Sequence, residues 1–132
     1  MVTLNSAQII SLIMTLAPAY NIDPHLAVAV ATVESRLNPK AVGGVGEIGL
    51  FQLKPASVPH YSKPDLFNPV LNITAGLEYL KYSKERCHTR ENFTWLICYN
   101  AGVKGAKKIK DPTQFDYYKK VTKTKRELKK VI

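Results

Sequence analysis

Acidic side chains are scarce in this chain of 132 residues: ten Asp and Glu stand against nineteen Lys and Arg, a formal net charge of +9. Such a surplus draws a protein at long range towards anionic matter, a bacterial envelope or nucleic acid alike. Cysteine is nearly absent. Cys87 and Cys98 are too few for a disulfide framework and lack the spacing of a metal site. Structural thiols are the expectation, and a Cys87–Cys98 bridge stays open because sequence does not fix their separation. His25, His60 and His88 are isolated, so no metal and no cofactor is expected. No apolar run approaches the length that crosses a bilayer. The stretch from Ile9 to Ala19 ends like a signal-peptide cleavage site, yet no Lys or Arg precedes it, which argues for a native helix rather than an export signal. Strand-like alternation, internal repeats and linkers are missing as well, leaving one mainly α-helical domain over residues 1–132.

The signals present agree with that class. Helices are expected near 6–17, 24–37, 70–86, 90–100 and 112–130, separated by a long Gly- and Pro-rich loop region from Asn38 to Pro69. Asn5 with Gln8 reads as a capping box, with Leu4 and Ile9 as its hydrophobic staple. Asp23 and Asp111 are caps followed by proline at the first helical position. Prolines 55, 59, 64 and 69 keep the middle segment from forming one long helix. Loops of such length inside a small domain are usually functional.

One carboxylate stands out. From Leu26 to Val33 every residue but Thr32 is apolar, so the second helix is buried on most faces, and Glu34 closes the run just before Asn38-Pro39 ends it. The acid emerges where core meets solvent, near the negative end of the helix dipole. Burial and dipole both disfavour the charged form and so raise the pKa, as a general acid requires. A structural ion pair with Arg36 or Lys40 is the plainer alternative.

Four segments in order carry more. Glu34-Ser35, Gly49-Leu50-Phe51-Gln52, the run from Asn72-Ile73 through Gly76 to Tyr79-Leu80, and Tyr99-Asn100-Ala101-Gly102 resemble the lytic transglycosylase family that shares a fold with goose-type lysozyme, over about residues 7 to 121. The resemblance implies a lysozyme-like fold with the loop region lining its cleft. It implies cleavage of the β-1,4 bond between N-acetylmuramic acid and N-acetylglucosamine in peptidoglycan, with formation of a 1,6-anhydro sugar. Goose-type lysozymes place an aspartate two residues after the glutamine of the second segment, and here that residue is Lys54. Glu34 would then act alone as acid and later as base. Ser35 would touch substrate or brace the acid, Gln52 would meet a sugar or acetamido group, and Tyr99 would reach towards Glu34. Asn100 would form the turn that aims Tyr99. Tyr79 and Tyr117 also match family tyrosines, although their neighbours suggest core packing. Glu47 is a second carboxyl whose roles stay open: backbone partner, tuner of Glu34, or base.

The runner-up among enzymes is a hydrolytic goose-type lysozyme using Glu47 or a positioned water; readings from another class are a non-catalytic wall-binding module and a nucleic-acid-binding helical domain. Lys119, Lys120, Lys123, Lys125, Arg126, Lys129 and Lys130 crowd the last helix with Glu127 as their only acid. That helix is expected to add affinity for an anionic envelope, or else to be an ordinary solvated face. It offers only Tyr117 and Tyr118 for base stacking, which disfavours nucleic acid. A monomer acting in the periplasm or on the wall is expected, delivered by a phage particle or a secretion apparatus.

Overall fold

The computed structural model describes residues 3–132. Its helices are α1 (Ser6–Leu16), α2 (Pro24–Ser35), α3 (Lys63–Phe67), α4 (Pro69–Arg86), α5 (Leu96–Ala106) and α6 (Asp116–Leu128), joined by short 3-10 turns. Among the described residues there is no strand, only isolated bridges that tie Ile48 to Val42 and to Leu53. No described helix is long and apolar enough to cross a membrane.

Helix α2 is the hub. Leu26 to Ala31 are all fully buried, because six consecutive small or medium apolar residues let other elements pack on every side. Asp23 caps its start, accepting from the Leu26 N–H at 3.0 Å. Against it lie α1, whose expected capping box is present in both directions, and α6, whose Val121 is buried. Helix α4 closes the core with Ile73, Leu77 and Leu80, and packs on α5.

Several boundaries differ from the sequence reading. Helix α2 stops at Ser35, two residues early, because Arg36 and Leu37 turn left-handed with φ of 54° and 62° before Asn38-Pro39 is reached. The stretch from Asn38 to Pro69 is not wholly loop. Pro55–Ser57 forms a 3-10 turn, and α3 is nucleated by a Ser62–Asp65 capping box with Pro64 in its first turn. Helix α5 begins at Leu96 instead of 90, since Asn92 and Phe93 have positive φ; it runs on to Ala106 across a kink at Gly102, φ 80°. Asp111 and Pro112 start a 3-10 turn rather than α6 itself, and extended Phe115 separates the two.

Two side-chain expectations change as well. Cys87 and Cys98 are joined in a disulfide with Cα atoms 5.8 Å apart, not held as free thiols. The close packing of the α4 end against α5 brings together residues whose sequence separation alone says nothing of distance. Lys125 is not a free charge of the basic helix: its ammonium lies 3.9 Å from Asp23 and 4.3 Å over the ring of Phe93.

Candidate active site

Glu34 occupies the last turn of α2, half-buried at the floor of a cleft of about 290 Å³. Glu47, Gln52, Tyr79, Tyr99 and Asn100 line the same cleft, so five of the six residues expected around the acid are gathered with it. Burial raises the Glu34 pKa to about 7. A hydrogen bond from the Tyr117 hydroxyl to Oε2, 2.8 Å, opposes the rise, and the charge of Glu47 adds to it. At neutral pH both protonation states of Glu34 are therefore well populated.

The tyrosine bonded to the acid is Tyr117 on α6, not Tyr99. Tyr99 is buried close to Glu34, but its hydroxyl donates to the Phe51 carbonyl at 2.9 Å and its ring leans on Tyr79, centroids 5.4 Å apart. Burial, with the nearby Glu34 charge, keeps both phenols protonated well above the usual tyrosine range. The sequence gives Tyr117 no helical neighbour that marks it out; only the family match pointed to it, and packing of α6 on α2 brings it to the acid from 83 residues away.

Ser35 does not line the cleft. Its hydroxyl is shared between the carbonyls of Leu50, 2.8 Å, and Ala31, 3.0 Å, pinning the end of α2 to the Gly49-Leu50 loop. Gln52 adopts a left-handed φ of 49°, and its amide donates to the carbonyls of Ala41 and Gly49 at 3.2 and 3.0 Å. Gln52 is one of the residues that line the cleft. Glu47 is drawn below the usual carboxylate range by backbone N–H donors, its own and that of Val45 at 3.0 Å, and by Lys54. Lys54 itself is exposed on the cleft wall.

The residue that organises the loop is Asn72, buried on α4. It accepts from the Phe51 N–H at 2.9 Å and donates to the carbonyls of Ile48 and Leu66 at 2.9 and 2.8 Å. Satisfying three buried backbone groups with one amide fixes the chain that carries Gln52 beside Glu34. Gly49 is required twice over: its φ is 76°, and a Cβ there would sit 2.3 Å from the Asn72 amide. Sequence reasoning saw Asn72 and Gly49 only as matched letters. Their signal was the pairing of a buried-helix asparagine with a glycine loop, legible once the two segments are known to touch.

The model of the Transglycosylase SLT domain family matches residues 11–121. The chain is 34% identical over 87 residues to the transglycosylase of Enterobacteria phage PRD1, covering 66% of this chain and 32% of that protein. It is 37% identical over 86 residues to the soluble lytic murein transglycosylase of Escherichia coli K12, 58% of this chain and 13% of that one. A third relative is the membrane-bound lytic murein transglycosylase C of Actinobacillus pleuropneumoniae, 27% identical over 87% of this chain and 36% of that protein. The chain thus spans about a third or less of the length of these relatives. With the helical core, the glutamate at the end of its buried helix and the family model over most of its length, the chain belongs to the Transglycosylase SLT domain family.

Proposed function

We propose that this chain is a lytic transglycosylase domain acting on peptidoglycan, cutting the bond between N-acetylmuramic acid and N-acetylglucosamine and leaving a 1,6-anhydro-muramyl end. The observation that carries the reading is Glu34, a half-buried carboxyl in a cleft with its pKa raised to about 7. Near neutral pH it holds a proton to give and, once ionised, is a base strong enough to take one back. Protonated Glu34 donates to the glycosidic oxygen as the C–O bond breaks. The acetamido oxygen of the sugar stabilises the positive anomeric carbon. The sugar's own 6-hydroxyl then attacks that carbon while Glu34 removes its proton, so one carboxyl serves both steps and no water is consumed. Effective molarity favours the tethered hydroxyl over solvent. Gln52, Tyr79 and Asn100 line the place where the sugars lie.

A hydrolytic reading keeps one supporting observation: Glu47 shares the cleft and stays ionised, as a water-activating base must. Its carboxylate is bound to the N–H groups of its own loop, which opposes that role. Mass spectrometry of fragments released from purified sacculi separates the two, since anhydro ends are lighter by one water than reducing ends. Mainly reducing ends, abolished by Glu47→Gln, would establish the lysozyme reading instead. Glu34→Gln is expected to fold and release nothing, and substantial release by that variant would remove Glu34 from the chemistry.

The disulfide suits an oxidising compartment such as the periplasm. The phage relative supports delivery by a phage particle, with attachment to an assembly as the simplest route to the wall.

A further inference from the structure

Tyr79 forms a ridge at one end of the catalytic cleft, and Tyr82 stacks on it with centroids 6.0 Å apart and planes 14° from parallel. Tyr82 is 44% exposed, an uncovered aromatic that core packing does not explain. Two grooves leave the cleft on either side of this pair. One runs past Ser57 towards Tyr61 and Glu78, whose side chains are hydrogen-bonded to each other at 2.7 Å. The other, about 650 Å³, runs past Ala101 and Gly102 to Arg86 and Lys104.

The grooves differ in charge. The Glu78 side repels anions. On the other side the Arg86 guanidinium carbon lies over the Tyr82 ring, 4.7 Å from its centroid. Among the described residues the one ion pair joins Lys125 and Asp23, so neither Arg86 nor Lys104 has a carboxylate within 4 Å. Two unpaired cations and a stacked aromatic thus meet in a groove continuous with the site. The fork of N–H donors on a guanidinium matches a planar anion, and carboxylate is the best match.

We propose that the groove of Tyr82, Arg86 and Lys104 is a subsite for a carboxylate on the peptide carried by the muramyl sugars; this rests on the peptidoglycan reading above. Arg86 takes the carboxylate in bidentate fashion, Lys104 closes on it as a point charge, and Tyr82 packs against the peptide stem. The groove would make stem-bearing strands better ligands than bare glycan without taking part in bond cleavage.

The test is a binding titration in the Glu34→Gln background, so that no ligand is consumed. Stem-bearing oligosaccharides are compared with the same strands after the peptides are removed, which keeps them anionic through the freed lactyl carboxylates. Arg86→Gln with Lys104→Gln is expected to raise the Kd for stem-bearing strands about tenfold and to leave that for bare strands within twofold. Arg86→Lys should recover only part of the loss, because a point charge lacks the fork. Equal weakening for both ligands would reduce the pair to general electrostatics, and no weakening for either would remove the subsite; both overturn the proposal. Failure of the catalytic reading is a separate result, namely wild-type digests without anhydro ends, and leaves the binding contrast as it is.

Discussion

Two phenols surround one carboxyl and do different work, which single substitutions can separate. In Tyr117→Phe the hydrogen bond that favours ionised Glu34 is lost, so the Glu34 pKa should climb above about 7. The alkaline limb of the kcat/KM profile is then expected to move to higher pH, with turnover at pH 7 falling roughly tenfold because the weaker acid gives its proton to the leaving oxygen less readily. Tyr99→Phe leaves the Phe51 carbonyl buried without its donor and should cost about 1–2 kcal/mol of stability while barely moving that limb. If the pH profile follows Tyr99 and ignores Tyr117, the hydrogen bond seen here is not the one that tunes the acid. Glu34 also predicts a pH dependence of stability. Its folded pKa is raised, so between pH 4.5 and about 7 the unfolded chain releases a proton that the native state keeps, and the native state loses ground as pH rises. Glu34→Gln carries no such penalty. Its stability advantage over wild type should grow from near zero at pH 4 to on the order of 1–3 kcal/mol at pH 8, read from melting curves.

At the scale of elements, the site is a loop held between two helices. Ser35 on α2 takes the Leu50 carbonyl, and Asn72 on α4 takes three backbone groups around Ile48, Phe51 and Leu66. Asn72→Ala is therefore expected to cost about 3 kcal/mol or more and to depress turnover even where the protein is folded, because Gln52 loses its fixed position. Chemical denaturation with parallel activity measurements checks it. How much of this could be read beforehand depends on the residue. Asn5, Asp23 and the Leu26–Ala31 run announced α1 and α2 through local chemistry, and Glu34 was visible as an acid ending an apolar helix. The left-handed pair Arg36 and Leu37 was not visible, since neither residue favours that conformation and only the tertiary setting imposes it. Helix α3 hid among prolines that serve as its first turn. The disulfide and the Tyr117 contact are long-range facts, and local periodicity holds no information about either.

For the whole molecule, charge and architecture meet in α6. The same helix brings Tyr117 to the acid on its inner face and carries exposed Lys119 and Lys123 outside, with exposed Lys129 and Lys130 in the turn that follows it. Replacing Lys123, Lys129 and Lys130 by Gln should weaken adsorption to sacculi several-fold at low salt and flatten its salt dependence, with turnover on soluble fragments unchanged. Adsorption that stays the same would mark these lysines as a plain solvated face. Lys125→Ala belongs to a different class and should lower the melting temperature by a few degrees, because it uncouples α6 from Asp23 and Phe93.

The contact between Gly76 and Phe51 has a consequence for how such sequences diverge. A Cβ at position 76 would lie 2.4 Å from the Phe51 ring, so α4 and the loop approach each other only because one partner is the smallest residue and the other fills the space completely. The two positions share one volume and cannot drift independently. Across natural variants, an alanine or serine at 76 should be found with a slimmer side chain at 51, and the joint replacement should be tolerated where Gly76→Ala alone is not. What looks like two separate motif letters is, on an evolutionary timescale, a single inherited unit.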